Sequence, residues 1–328
     1  MKNKFKIVVT GASGQVAYAF LFRLLSANIF PENTKIELCL LDLDSALQKC
    51  YGVQMELEDC LFPNLTKVIC TSNINEAMID ANLAVLIGAI PRKSAATSRN
   101  DLLQANASIF KEQAMALNEF AARDVKVLVV GNPCNTNCLV AIHNAKDLPR
   151  ENFYAMMLLD ENRARYQLAN KAGVSISSVE NMIIWGNHSN SMYPDFYNAK
   201  LNGKPVIETL EESWLQTEFI THIRNRGADI IAARGMSSGA SAANAALNTI
   251  DRMFNKQRDD MFSLGCYSKG EYGVESDLVF SFPCLLQNEK INIVLGIEHN
   301  TLFAKEQLEK TISELRNERD IVYKLGFL

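Results

Sequence analysis

The chain has 328 residues, 48% of them hydrophobic and 21% charged, with a formal net charge of −4. Those proportions exclude a disordered polypeptide, and the length suits about two domains, each able to bury its own core. A small negative charge gives no general attraction to phosphate backbones or anionic lipid, so neither nucleic acid nor a membrane surface is expected as a partner.

In the first half, short β-branched runs alternate with helical patterns. Strands are expected at 6–10, 36–42, 68–71, 83–88 and 125–130, and helices at 14–27, 46–59 and 101–123. Near-continuous apolar strands separated by helices argue for a parallel sheet covered on both faces, a doubly wound α/β arrangement. Beyond about residue 150 the rhythm changes. A helix at 161–172, a short strand at 182–185, an Ala- and Ser-rich stretch at 212–255, strands at 277–282 and 290–296 and a helix at 300–323 read as a mixed α+β domain. No Pro- or Gly-rich linker separates the halves, so they are expected to pack closely around an active-site cleft.

The longest apolar runs, such as 83–91 and 127–130, are far shorter than the roughly 18 residues of a spanning helix. The start of the first strand at Lys6 leaves no room for a secretory leader, and a cytoplasmic protein is expected. The eight cysteines include no C-x-x-C pair, and most sit in apolar segments. Reduced, mostly buried thiols and no metal site are therefore expected.

The first strand ends in Gly11-Ala12-Ser13-Gly14-Gln15-Val16-Ala17 and runs on into a helical pattern. A strand that turns through glycines into a helix N-terminus offers free N–H groups and the positive end of the helix dipole to a pyrophosphate. The spacing is G-x-x-G-x-x-A, and a pattern this short also occurs in ordinary βα turns. Asp42, at the end of the second strand, stands where an acid accepts hydrogen bonds from adenosine ribose hydroxyls and repels a 2′-phosphate. That favours NAD over NADP, against the plain reading of an exposed acid closing a strand.

Of the four histidines, His188 differs from His143, His222 and His299 because it follows an apolar strand end, in Trp185-Gly186-Asn187-His188-Ser189. Upstream, Leu158-Leu159-Asp160-Glu161-Asn162-Arg163 opens a helix, which sets Asp160 and Arg163 on neighbouring positions of one face. One of the two suits holding the imidazole and the other an anion; a helix-capping aspartate and a surface arginine are the bland alternative. Arg92 and Arg99 lie in a loop before a long helix, suited to a lid over an anionic substrate or simply to a solvated basic loop. Asn132, in Gly131-Asn132-Pro133, is another strand-end polar residue.

With these motifs in order, and with Asn135-Thr136-Asn137-Cys138-Leu139, Ile183-Ile184-Trp185-Gly186-Asn187-His188-Ser189, Ser237-Ser238, Ser241-Ala242-Ala243 and Ser281-Phe282-Pro283 extending the match over nearly the whole chain, the sequence resembles NAD-dependent malate dehydrogenases of the cytosolic-type branch. The resemblance implies an N-terminal Rossmann domain over 1–155 that binds NAD and a substrate domain over 156–328. It implies His188 as the acid/base with Asp160 as its partner, and Arg163 on the carboxylate beside the reacting carbon. Arg92 would select the distal carboxylate, Arg99 would polarise the carbonyl, and Asn132 and Ser241 would contact substrate. Gly11 to Ala17, Asp42, Asn106, Gln113 and the Val130, Gly131 and Asn132 backbone would line the cofactor site. It further implies malate and oxaloacetate as substrates and a homodimer, for which the small residues of 232–248 offer close helix packing.

The chain departs from the family pattern in its lid. Relatives usually have six residues from the first arginine to the second, commonly with a glycine between, whereas here they are seven apart (99 − 92) with no glycine in 93–98. Glu161 also stands where relatives of this branch often have histidine. Lactate-type dehydrogenases are the nearest alternative. Short-chain reductases need Y-x-x-x-K, which none of the nine tyrosines supplies, and a cofactor-sensing scaffold without chemistry would be expected to lose some of His188, Asp160, Arg163, Arg92 and Arg99.

Overall fold

The computed structural model describes residues 4–27, 29–31, 33–90, 99–257 and 259–328. The chain forms two units, one of Met1–Ala155 with Glu318–Leu328 and the other of Met156–Asn317. Among the described residues no helix is long and apolar enough to cross a membrane.

The first unit alternates strands and helices: β1 (Lys4–Thr10), α1 (Gln15–Ser26), β2 (Lys35–Leu41), α2 (Leu47–Asp59), β3 (Leu65–Thr71), α3 (Ile74–Met78), β4 (Leu83–Leu86), α4 (Arg99–Phe120), β5 (Lys126–Val129), α5 (Cys134–Asn144) and β6 (Phe153–Met156). The strands pair in parallel in the order β3-β2-β1-β4-β5-β6, the doubly wound arrangement expected from the sequence. Ile7 to Val9, Leu38 to Leu40, Leu83 to Leu86 and Val127 to Val129 are wholly buried. Each Val, Leu and Ile side chain among them contributes roughly 1.5–3 kcal/mol on leaving water. α1 buries Ala17, Phe20, Leu21, Leu24 and Leu25, a single stripe at helical spacing.

Register sets the working edge of this sheet. Thr10 pairs with Leu41 on one side and with Leu86 on the other, so β1, β2 and β4 end level. Strand order reverses at β1, between β2 and β4, the switch point where parallel sheets open a crevice for ligands. Three elements of this unit, α3, α5 and β6, have no counterpart among the sequence expectations; α3, with five residues, is too short to show a helical period. α5 is buried from Cys134 through Ile142, so it has no polar face to reveal a helical period. β6 runs straight into apolar Met157-Leu158-Leu159, so nothing marks its end.

The second unit opens with α6 (Leu158–Ala172), then β7 (Val179–Glu180), β8 (Ile184–Trp185), β9 (Tyr193–Pro194), β10 (Lys200–Leu201) and β11 (Lys204–Pro205). β8 and β9 form a two-stranded pair, shorter than the strand expected at 182–185. The stretch at 212–255 divides into α7 (Glu212–Trp214), a π-turn at Leu215–Phe219, α8 (Ile220–Arg234) and, after Gly235, α9 (Ala240–Phe254). An antiparallel meander of β12 (Phe262–Tyr267), β13 (Val279–Gln287) and β14 (Lys290–Ile293) follows, then α10 (Leu302–Lys324).

The core of this unit gathers Leu168, Met182, Ile184, Phe196, Leu215 and Phe219. In α9, Ala242, Ala243, Ala245 and Ala246 are buried within the chain, and the helix packs on α6. The last residues, Glu318–Leu328, group with the first unit, where Asn144 Nδ2 donates to the Phe327 carbonyl at 2.8 Å and Lys111 Nζ lies 5.8 Å from the centre of the Phe327 ring. A single cut in the sequence makes no provision for that return. All eight cysteines are free, and six are buried.

Candidate active site

In the first unit the glycine turn is built from main chain. Gly11 has φ +62°, and a Cβ on it would stand 2.6 Å from Gly88 Cα; a Cβ on Gly88 would stand 2.9 Å from Gly11 N. The close approach of β1 and β4 at the switch point therefore needs both residues bare. Gly88 N–H donates to the Thr10 carbonyl and to Thr10 Oγ1, both at 3.1 Å. Gly14 caps α1 without a side-chain hydrogen bond, and no acid occupies the first turn. Ala12 and Ala17 are buried, Ser13 and Val16 half-buried, and Gly14 and Gln15 exposed. An uncapped, exposed helix start of this kind fits a pyrophosphate.

Asp42 leaves β2 beside this turn. Its Oδ2 accepts from the Ser13 N–H at 2.9 Å and the Ser13 hydroxyl at 2.8 Å, and its Oδ1 accepts from the Leu43 N–H at 2.8 Å. The Cys50 thiol lies 4.0 Å from Oδ2, and burial together with the Asp42 charge pushes that thiol up to about 12, so it stays neutral. Asp42 thus braces the glycine turn as well as standing at the strand end.

Asn106 is wholly buried, and its amide brackets Ile90, accepting from the Ile90 N–H at 2.8 Å and donating to the Ile90 carbonyl at 3.2 Å. It fixes the chain at the last described residue before the 91–98 segment. Gln113 is buried, with Oε1 lacking a hydrogen-bond partner among the described residues, which leaves an acceptor for a ligand. Val130 and Gly131 both donate to the Leu86 carbonyl, at 2.9 and 3.0 Å, while Asn132 is exposed. Arg92 lies outside the described residues. Arg99 opens α4, and its side chain is likewise outside them.

In the second unit Asp160, in the first turn of α6, is wholly buried and uses both oxygens. Oδ2 hydrogen-bonds His188 Nδ1, and Oδ1 accepts from Arg163 Nη1 at 3.1 Å. Burial works to raise the Asp160 carboxyl, but the charges and hydrogen bonds of His188 and then Arg163 outweigh it, and the net shift is downward. Burial likewise works to lower the imidazole, and the Asp160 charge and hydrogen bond outweigh it, with Arg163 opposing; His188 ends above its ordinary value. One carboxylate therefore fixes an imidazole tautomer and a guanidinium together.

Neighbouring residues play parts that the sequence did not disclose. Ser238 Oγ is 3.4 Å from Arg163 Nη2, whereas Ser241 is exposed in the first turn of α9. Glu161 is buried and accepts from the Ser263 N–H at 2.7 Å; burial raises its carboxyl, with the Ser263 N–H, Arg252 and Arg165 opposing. The strand leading to His188 is pinned at Ile184, whose N–H donates to Ser263 Oγ at 2.8 Å and whose carbonyl accepts from Ser281 Oγ at 2.6 Å.

A parallel sheet in this order, with a glycine turn, a free helix start and an acid at its switch point, defines a dinucleotide-binding unit. Residues 5–154 match the NAD-binding domain of the lactate/malate dehydrogenases, and residues 158–325 match their alpha/beta C-terminal domain. The chain belongs to the lactate/malate dehydrogenase family: it is an NAD-dependent 2-hydroxyacid oxidoreductase, and NAD is its cofactor. It is similar to malate dehydrogenase from Naegleria fowleri, with 37% identity, 99% of each chain covered and a TM-score of 0.94. It is similar too to Trichomonas vaginalis lactate dehydrogenase in complex with NADH and oxamate, with 34% identity, 99% of this chain and 100% of that one covered, and a TM-score of 0.93. Malate dehydrogenase from Plasmodium falciparum, 24% identical with a TM-score of 0.83 over 98% of this chain and 99% of that one, shares the fold.

Proposed function

We propose that the chain is a malate dehydrogenase of the cytosolic-type branch, interconverting malate and oxaloacetate. The observation that carries the chemistry is the Asp160 carboxylate shared between His188 and Arg163. When bound, NAD accepts or supplies a hydride at C4 of its nicotinamide. His188, with Nδ1 held by Asp160, takes the C2 hydroxyl proton on its other nitrogen during oxidation and returns it during reduction. Arg163, steadied by Asp160 and Ser238, pairs with the C1 carboxylate and fixes which face of C2 is presented. Arg99 polarises the carbonyl and Asn132 contacts substrate. Ser241, exposed on α9, keeps only a marginal part. Asp42 receives the adenosine ribose, Gly11 to Ala17 and the Val130 to Asn132 backbone line the cofactor, and Asn106 and Gln113 complete that lining.

Malate is favoured over lactate because of Arg92. With a monocarboxylate, a guanidinium buried at that position would face a methyl group, at a cost of about 3–5 kcal/mol, or roughly two to three and a half orders of magnitude in preference. Steady-state rates with oxaloacetate and pyruvate, each against NADH, test this directly. Oxaloacetate is expected to win by at least a hundredfold, and Arg92→Gln to erase most of the gap. A parent enzyme that prefers pyruvate makes this a lactate-type dehydrogenase instead.

A cytoplasmic homodimer completes the reading. Ala242, Ala243, Ala245 and Ala246 of α9 are used up inside the chain; pairing is supported instead by exposed apolar residues in each unit taken by itself, Tyr18, Tyr51 and Met55 on α1 and α2 of the first, and Ile231 on α8 with Met236 beyond it in the second. Light scattering should give twice the monomer mass, and a monomer would refute the pairing.

A further inference from the structure

His188 sits on a loop with little regular structure, between β8 and β9, yet the residues on both sides of it are held from α10. Asn187 N–H donates to Thr311 Oγ1 at 2.9 Å and Asn187 Nδ2 donates to Glu314 Oε2 at 3.2 Å. On the far side, the hydroxyls of Ser189 and Ser191 both hydrogen-bond that same Glu314 oxygen, and Ser191 Oγ lies 2.9 Å from Thr311 Oγ1. Thr311 and Glu314 are three residues apart on one helical face, so a single surface of α10 grips the loop before and after His188.

The grip is tight and mostly dry. Asn187, Ser191 and Thr311 are buried. Gly186, with φ +95°, presses on Thr311 so closely that a Cβ there would fall 2.2 Å from Thr311 Oγ1. From the other side, Arg224 of α8 donates to the Met192 carbonyl at 3.0 Å from Nε and 2.7 Å from Nη2, and to the Ser191 carbonyl at 3.3 Å. One carboxylate oxygen accepting three hydrogen bonds ties three residues of the loop to a single atom, and its loss would take that partner from all three donors.

We propose that Glu314 and Thr311 are positioning residues for His188, holding the 187–191 loop on α10 so that the imidazole stays seated on Asp160. This rests on the reading of His188 as the acid/base. Neither side chain needs to touch substrate. Their effect passes through the placement of one imidazole, and a displacement of about 1 Å at a reacting group lowers turnover by roughly a hundredfold.

Glu314→Ala, Glu314→Gln and Thr311→Val are to be compared with Thr311→Ser, each assayed for kcat, oxaloacetate KM, NADH affinity by fluorescence and the pH profile of malate oxidation. Glu314→Ala and Thr311→Val are expected to lower kcat by about 10- to 100-fold, leave NADH affinity within about twofold, and move the acidic limb of the profile toward ordinary imidazole. Thr311→Ser, which keeps the hydroxyl, should restore most of the rate. Glu314→Gln keeps the size of the side chain and serves if the alanine variant fails to fold. In a His188→Ala background Glu314→Gln should cost no further kcat, since the group it positions is gone. Parent kcat and an unmoved pH limb in both Glu314 and Thr311 variants, or a full additive loss on His188→Ala, would overturn the proposal while the acid/base reading stands. A His188→Ala variant that keeps more than half the parent rate would instead bring down that reading, and the proposal with it.

Discussion

The glycine turn of the first unit and the His188 loop of the second solve their problems with opposite materials. At the turn the working parts are main-chain groups: Gly11 and Gly88 approach within a distance that no Cβ allows, and the N–H groups of α1 begin without a side-chain cap. At the loop the working parts are side chains arranged in depth. Asp160 holds His188 and Arg163, while Ser281, Thr311 and Glu314 hold the chain on which His188 rides. A site of main chain depends on what is absent from it, and a site of side chains on what each holds.

In the proposed mechanism that difference separates binding from chemistry, and two substitutions break it from either side. His188→Ala should lower kcat by about 10²–10⁴-fold, the usual worth of a positioned acid/base, while NADH titration gives nearly the parent affinity. A variant keeping more than half the parent rate would remove His188 from the reaction. Gly11→Ala should do the reverse. Its methyl would meet Gly88 Cα at 2.6 Å on a backbone already at φ +62°. The strain and displacement amount to about 3 kcal/mol, or roughly a hundredfold in NADH affinity. Whatever fraction still binds cofactor should turn over at close to the parent rate. Unchanged NADH affinity would mean that the close approach of β1 and β4 is dispensable.

The Asp160 bridge also makes a statement about pH. His188 is raised above 6.5 because the Asp160 charge overcomes burial. In the proposed mechanism malate oxidation needs the neutral imidazole, so its rate should rise with pH through a midpoint above 6.5, while oxaloacetate reduction, which would need the protonated ring, should persist to that same raised midpoint. The sign for stability is the matching one: a folded value above the unfolded one stabilises the fold fully below about 6.5 and loses that contribution as pH rises through the raised value. Asp160→Asn should pull the kinetic midpoint down. A parent midpoint at or below 6.5 would mean that the carboxylate does not govern the imidazole.

How much of this could be read from the sequence follows the same division. The parallel sheet, the glycine turn and Asp42 were legible because their signals are local: apolar strands, glycines three apart, an acid at a strand end. Gly88 was not, since its role appears only when β4 is laid against β1 by the sheet order. α5 was missed because a helix buried all round has no amphipathic period. In the second unit the Asp160–Arg163 spacing announced itself, but Thr311 and Glu314 lie more than a hundred residues from the loop they hold, and no local pattern links them. Ser238 and Ser241 are both plausible on paper. Only the turn of chain between Gly235 and α9 brings Ser238 rather than Ser241 to Arg163.

The smallest effect is expected where the two materials meet, at Asp42, a side chain that serves a main-chain site. Its oxygens already accept from the Ser13 N–H, the Ser13 hydroxyl and the Leu43 N–H, with the neutral Cys50 thiol nearby. A carboxylate offers about four acceptor positions. A ribose hydroxyl is therefore expected to take the place of the Ser13 hydroxyl, while the Ser13 N–H bond keeps the turn in shape. Asp42→Ser removes both services. It should weaken NADH by about tenfold, the worth of one hydrogen bond to a charged group, and lift the repulsion of a 2′-phosphate, so that the preference for NADH over NADPH narrows. Ser13→Ala separates the two: it frees an acceptor position on Asp42 without touching the charge, and should leave the NADH preference intact. Equal activity of the parent enzyme with NADH and NADPH would show that Asp42 serves the turn alone.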